Sequence, residues 1–415
     1  MKENWRLGEF NVTYLARSFL DYRVPVYQAL DSLTGGRLHV VYSTLWTPKR
    51  VQGKLAGALG ERAIALGGEK YVGQRNASEE MANAAITITY QPGLVSAIAR
   101  TRPDVLISDG FFKWTPAAII YRITRRVPLV VCYERTFHTE RNAQWYRLMY
   151  RRIALRFVDS VCCNGRLSAS YTCWMGVPPC RITTGHMAAD TEGLRNRADA
   201  VTPDEREALR KSAGMQGTVF LYVGQLIRRK GVRELLLGWS LLEQRVPPGS
   251  VTLAIIGTGA EAATLRSLAA ERNLRSVRFL GSVDYDRIAS YYAAADVFVM
   301  PTLEDNWSLV VPEAMACGLP ILCSKYNGCW PELVHSEGNG WLFDPLAGND
   351  VVRVLELALK NKARLPEMGG HSRVVVSDHS PQSAARSILR ACEIAINGRR
   401  GEGREVNLDG RQGDR

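Results

Sequence analysis

No two cysteines are spaced C-x-x-C, and the nine present are an odd number. A disulfide framework is therefore not expected, and a reduced, cytoplasmic setting fits the chain. No apolar run approaches the roughly 18 uninterrupted residues of a membrane-spanning helix. The first residues, MKENWRLGEFNVTYLARSF, hold no continuous apolar stretch ending in small side chains, so they do not read as a secretory signal. Histidine is scarce, six in 415 residues, and none pairs with Cys317, Cys323 and Cys329 at zinc spacing. No bound metal is expected. Acidic residues are sparse in one half only. Residues 1–200 carry 27 Lys+Arg against 16 Asp+Glu, while residues 201–415 carry 26 against 25.

What is present is ordinary for a globular chain: 46% hydrophobic, 23% charged and a net charge of +12. Its length suits two cores better than one. The basic first half favours an anionic partner such as a membrane leaflet, a phosphate-bearing substrate or nucleic acid; the plain alternative is a solvated face. Arg122/Arg125/Arg126, Arg135/Arg141/Arg147 and Arg151/Arg152/Arg156 form its clusters. Apolar runs alternate with amphipathic segments along most of the chain, the pattern of α/β layering with parallel strands. Strands are expected at Phe10–Leu15, Leu38–Tyr42, Val105–Ser108, Leu129–Tyr133, Ser160–Cys163 and Arg181–Thr184. After a polar passage a second series follows: Val219–Val223, Thr252–Ile256, Arg278–Leu280, Val297–Met300 and Ile321–Ser324. Thr202 and Glu205 predict a capping box between the two.

Two motifs invite a specific chemistry. GTGAEA at Gly257–Ala262 follows a strand and opens a helix, as a dinucleotide site does. The acid that should follow the next strand is missing there, which speaks against a nicotinamide cofactor. Asp284-Tyr285-Asp286 spells a metal-binding D-x-D, but at a helix start it reads better as a cap. The most informative stretch is Met300–Val334, a strand, an acidic turn, a short helix and another strand. Ligands of open α/β sheets sit at such strand ends. Asp305 and Glu313, eight residues apart, can accept hydrogen bonds from vicinal hydroxyls of a sugar or ribose, because ionised carboxylates only accept.

That stretch resembles the E-x7-E region of retaining glycosyltransferases of family four. Tyr222–Leu226 with Arg228-Arg229-Lys230-Gly231, Ile255–Gly259, Asp296–Pro301 and Gly328 through Gly340 resemble further segments of the family, in its order. The resemblance is specific over about residues 219–345 and rests on layout in the first half. It implies a GT-B architecture: two Rossmann-like, doubly wound α/β domains facing across a cleft. Residues 1–195 would bind acceptor, 200–380 the nucleotide sugar, and a helix at about 381–397 would return to the first domain. Residues 399–415 are expected to be a disordered tail.

By the same resemblance Glu313 would hold the ribose hydroxyls, Asp305 the transferred sugar, and Lys230 the leaving diphosphate. Gln225, Arg229, the turn at Gly257 and the N–H groups of Leu309 and Val310 would complete the donor site. His138 is placed like the family's cleft histidine. Tyr22 and Arg23 would face the acceptor. Three departures are visible: Asp305 for Glu, Ser308 for Gly and Gln225 for a phosphate-binding Arg. The implied activity is retaining, metal-independent sugar transfer, with a nucleotide-diphospho-sugar as co-substrate and no cofactor. The acceptor would be lipid-linked or polysaccharide, at the inner face of the cytoplasmic membrane. Two other classes remain open at this point, an NAD-dependent oxidoreductase and a nucleic-acid-binding protein. The Arg clusters, however, are not interleaved with stacking residues as in nucleic-acid binders.

Overall fold

The computed structural model describes residues 10–72 and 88–405. They form two units, the first of residues 10–72, 88–188 and 381–405, the second of residues 189–380.

The first unit alternates strand and helix from its start. Its elements are β1 (Val12–Ala16), α1 (Arg23–Leu33), β2 (Leu38–Ser43), α2 (Lys49–Leu59), β3 (Ala63–Leu66), β4 (Lys70–Val72) and β5 (Ile88–Tyr90). Then come α3 (Leu94–Thr101), β6 (Val105–Asp109), α4 (Thr115–Arg125), β7 (Leu129–Tyr133), α5 (Trp145–Leu155), β8 (Ser160–Cys163), α6 (Arg166–Trp174) and β9 (Ile182–Thr184). Seven strands pair in parallel in the order β3-β2-β1-β6-β7-β8-β9, and β4 pairs with β5 antiparallel. Parallel strands are buried on both faces, which is why they read as unbroken apolar runs. Val12, Tyr14, Val130 and Cys132 pack towards α1 and α2, whereas Leu15, Leu129, Val131 and Tyr133 face α3–α6.

The second unit holds α7 (Thr191–Asp199), α8 (Pro203–Ser212), β10 (Thr218–Val223), α9 (Val232–Glu243), β11 (Val251–Ile256), α10 (Ala262–Glu271) and β12 (Val277–Gly281). It continues with α11 (Tyr285–Ala294), β13 (Val297–Met300), α12 (Val310–Ala316), β14 (Ile321–Ser324), α13 (Trp330–Leu333), β15 (Gly340–Phe343), α14 (Gly348–Lys360) and α15 (Leu365–Ser377). Six parallel strands run β12-β11-β10-β13-β14-β15. The capping box at Thr202 and Glu205 forms with both of its bonds. Asp284 takes the N-cap position of α11, although its side chain makes no capping bond.

The last helix, α16 (Pro381–Glu405), belongs to the first unit. Ala384, Ala385, Ile388 and Cys392 are buried against the α1 side of the first sheet. The Ser160 hydroxyl donates to the Ala391 carbonyl at 2.7 Å. Two expectations are corrected. The helical backbone runs on through Glu405 where a disordered tail was expected from 399; residues 406–415 lie outside the described residues. The boundary between units falls at 188/189, not near 195–200. α7 is polar in sequence, yet it buries Thr191, Leu194 and Ala198 and packs on α11 and α12.

Candidate functional site

In each sheet the strand order reverses once, between β1 and β6 in the first unit and between β10 and β13 in the second. Crossovers leave in opposite directions there and open a crevice at the strand C-termini. The second reversal gathers most of the sequence-derived candidates.

β10 ends at Val223, and the Gly224–Leu226 turn lies against the turn after β11. The Leu226 N–H donates to the Thr258 carbonyl at 2.9 Å, and the Glu261 N–H to the Leu226 carbonyl at 2.9 Å. A side chain at Gly257, where φ is +145°, would sit 1.8 Å from the Gly224 oxygen. The glycine of this turn is therefore needed for close packing, which accounts for the GTGAEA pattern without a dinucleotide. The chain then makes one 3-10 turn at Arg228–Lys230. The Arg229 carbonyl accepts from the N–H groups of Leu303 and Glu304 and from the Thr302 hydroxyl, tying this turn to the loop after β13. Gly231, at φ +69°, packs with its Cα against the Pro301 carbonyl.

This lacing brings Lys230 onto Asp305. The ammonium pairs with Asp305 Oδ2, and the Ser308 hydroxyl donates to the same oxygen. Burial alone would push the Asp305 carboxyl up, but Lys230 and the Ser308 bond together hold it below its ordinary value. The loop is fixed from behind by Asn327, fully buried, whose Oδ1 accepts from the N–H groups of Ser308 and Cys329 at 3.3 Å. Trp307 Nε1 and Asn327 Nδ2 are buried here without a partner among the described residues. Such atoms are few in folded proteins and mark places where a ligand or water can be held.

Glu313 sits in the first turn of α12, opened by Leu309 as N-cap and Val310. It is 7% exposed, and the Tyr292 hydroxyl donates to its Oε2 at 3.0 Å. Burial raises its carboxyl to about 7; the Tyr292 bond opposes that, Asp190 adds to it, and Arg197 opposes it. The N–H groups at the start of a helix have no partner in the preceding turn. Gln225 is exposed at the same strand end, with its carbonyl accepting from the Tyr222 hydroxyl at 2.9 Å. Arg228 is paired with Glu234 at 2.8 Å. Arg229 lies over the Glu304 carbonyl.

Tyr22, Arg23 and His138 belong to the first unit. Arg23 does not face an acceptor. It is 4% exposed, donates to the Tyr14 hydroxyl and the His186 carbonyl, and lies 3.6 Å from Asp109. A guanidinium so enclosed is spent on the fold, and nothing in the residues around it signals that it turns inward. His186, beside it, is held well below its ordinary value by burial and then by the Arg23 charge. Tyr22 is half-buried at the start of α1, and His138 lies half-buried in the loop after β7. Sequence reasoning missed Asp109 at the C-terminal end of β6, at the first reversal. Its carboxyl is 40% exposed and accepts from the Tyr14 hydroxyl at 2.8 Å. It missed Asn327 and Tyr292 too. Only the Asn-Gly turn signal at 327–328 could have drawn attention to Asn327.

Residues 205–375 match the family model for glycosyl transferases group 1, and residues 69–192 match that for glycosyltransferase family 4. Among curated relatives, an uncharacterized glycosyltransferase of Haemophilus influenzae is 30% identical over 170 residues, 41% of this chain and 47% of its own. A D-inositol 3-phosphate glycosyltransferase of Pseudarthrobacter chlorophenolicus is 28% identical over 201 residues, 47% and 48% of the two chains. The chain thus spans about half the length of the curated relatives it matches. Among solved structures, Anabaena HepE in complex with UDP superposes with a TM-score of 0.71 at 17% identity, over 91% of this chain and 98% of that one. The lipopolysaccharide outer core galactosyltransferase WaaB matches with a TM-score of 0.62 at 14% identity, over 92% and 98%. The fold is that of the GT-B enzymes, and with both family regions present in order the chain belongs to the family-four, group 1 glycosyltransferases.

Proposed function

We propose that this protein transfers a sugar from a nucleotide-diphospho-sugar to a glycan or lipid-linked acceptor, with retention and without a metal. The observation that carries the reading is the pairing of Lys230 with Asp305 at the second strand-order reversal, with Glu313 buried on the helix that follows. Each group has a task in such a reaction. The donor diphosphate draws the Lys230 ammonium off Asp305, which frees that carboxylate to accept hydroxyls of the sugar. Glu313 accepts the ribose hydroxyls. As the bond from the sugar's anomeric carbon to the phosphate oxygen breaks, Lys230 neutralises the growing charge, the kind of stabilisation that is usually largest in enzymes. The acceptor oxygen bonds to the same face, and its proton passes to the departing phosphate. Neighbours solved with UDP and with UDP-glucose support a nucleotide-sugar donor. A relative named as a GDP-mannose-dependent phosphatidylinositol monomannoside mannosyltransferase supports a lipid-linked acceptor in cell-surface glycan synthesis. Such an acceptor, like the basic first half, would bring the protein to the inner face of the cytoplasmic membrane.

A donor-hydrolysis screen over UDP-, GDP- and ADP-sugars, with calorimetry on the free nucleotides, tests the reading. One nucleoside diphosphate should bind, and its sugar should be released slowly. Lys230→Ala should depress kcat more than it raises KM, because leaving-group charge grows in the transition state. Binding of NAD in place of every nucleoside diphosphate would sink the proposal.

A further inference from the structure

α5 is built inside out. Its sequence is WYRLMYRRIAL, and the residues turned inward include Arg147 and Arg151. Arg151 pairs with Glu140, the two side chains 3% and 1% exposed, and both guanidiniums lie over the Phe112 ring at 5.4–6.0 Å. The outward face carries Trp145, 76% exposed, with Met149 and Ile153 following at helical spacing and Tyr146 beside them. A solvated helix does the reverse. The apolar face extends sideways: Arg152 lies over the half-exposed Trp174 at 5.0 Å, and the half-exposed Phe137 packs 5.5 Å from Trp174.

Among the described residues, the helices on this side of the sheet, α3–α6, carry charge of one sign. Arg152 on α5 and Arg156 just after it are exposed, as are Arg125 at the end of α4 and Arg126 just after it, on the same side of the sheet. Between Glu140 and Asp190 the only acid is Asp159, and it is taken by Arg122 and the Leu129 N–H. A second copy would therefore meet its own positive charge. Trp and Tyr beside a basic rim suit the boundary between lipid headgroups and acyl chains, where arginines reach back to phosphates.

We propose that the outward face of α5, with Trp174 and Phe137, inserts into the surface of an anionic lipid leaflet. The proposal deepens the lipid-linked reading above and rests on it for its purpose. It also corrects the sequence view of the basic clusters, because Arg122, Arg147 and Arg151 are used internally and cannot meet a leaflet.

The test is flotation of the full chain with vesicles of phosphatidylcholine alone and of equal parts phosphatidylcholine and phosphatidylglycerol. Wild type should bind only the anionic vesicles, with a blue shift in tryptophan fluorescence. The double variant Trp145→Ser/Ile153→Ser, changed at exposed positions and so expected to melt like wild type, should lose at least about tenfold in vesicle affinity. Arg152→Glu/Arg156→Glu should lose a similar amount. Absent binding of wild type, or unchanged binding of the serine variant, overturns the proposal. So does a concentration-dependent dimer that the serine variant abolishes, which would assign the face to a second copy. Donor hydrolysis in solution is read separately: its absence beside intact vesicle binding would defeat the enzymatic reading and leave this one standing.

Discussion

Glu313 is the residue at which fold and function pull in opposite directions. Its carboxyl is raised from 4.5 to about 7 by burial, so the fold prefers it protonated. That preference is intact below about pH 4.5 and is lost as the pH climbs through 7, a cost of about 3 kcal/mol once the group is ionised. Glu313→Gln keeps the acceptor oxygen for Tyr292 and cannot ionise. Its thermal stability relative to wild type should therefore improve between pH 5 and pH 8, measured by calorimetric melting. Nucleotide binding should show the opposite sign. Ribose hydroxyls need the carboxylate, so wild-type affinity for the donor nucleotide should rise from pH 6 to pH 8, and the Gln variant should bind about 1.5–3 kcal/mol more weakly at pH 8. Equal affinities by titration calorimetry would remove Glu313 from the donor site. Gln225→Arg is a gentler test. The side chain is exposed and only its carbonyl is used, so an arginine fits there and should leave donor KM unchanged or lower it. A loss of activity would give Gln225 a role of its own. At this scale the motif's spacing put Lys230 and Asp305 at one strand end, and the structure pairs them. Arg23, Arg147 and Arg151 were misread because composition says that arginines are outside, and only tertiary partners reveal the exceptions.

Elements were more legible than residues. Leu129–Tyr133, Ser160–Cys163, Val297–Met300 and Ile321–Ser324 were delimited correctly from sequence because buried parallel strands are continuous apolar runs between turn signals. β3 and β15 escaped. Each is four residues long at a sheet edge, and Gly340 opens β15 because a side chain there would meet the Ile321 carbonyl at 2.0 Å. α7 escaped as a member of the second unit because only three of its nine residues are buried. The apolar stripe of α16 has measurable weight. Ile388 is fully buried against the first sheet, so Ile388→Ala should cost about 2–5 kcal/mol, seen as a lower urea midpoint. α5 supplies the contrary case. Arg151→Ala would leave Glu140 charged, buried and without its closest cation, at a cost of about 3–5 kcal/mol, although sequence alone would count it a surface change. An unaltered midpoint for Arg151→Ala would show that the inward arginines of α5 do not hold it in place.

At the scale of the whole molecule the two units differ in how the chain builds them. The described part of the second unit is one continuous stretch, residues 189–380, with its own six-stranded sheet and helices on it. The first is completed only when α16 arrives from the far end of the chain. Ala384, Ala385, Ile388, Ala391, Cys392 and Ala395 cover Val26, Tyr27, Val130 and Cys132 within one buried cluster. A domain that closes its core within one segment can fold alone, whereas one whose core is finished by a distant helix cannot. Residues 189–380 produced alone should therefore melt cooperatively. If the donor site lies where Lys230, Asp305 and Glu313 place it, that fragment should also gain stability with the nucleoside diphosphate, by about 2.7 kcal/mol at a hundredfold excess over Kd. Residues 1–188 alone should expose the strip that α16 covers and aggregate, because an uncovered apolar face of that kind drives association. Adding residues 381–405 as a separate peptide should recover part of the soluble fraction. The decisive measurement is gel filtration of the two fragments side by side. A soluble, folded 1–188 beside an aggregated 189–380 would reverse the assignment and mean that α16 decorates the first unit without completing it.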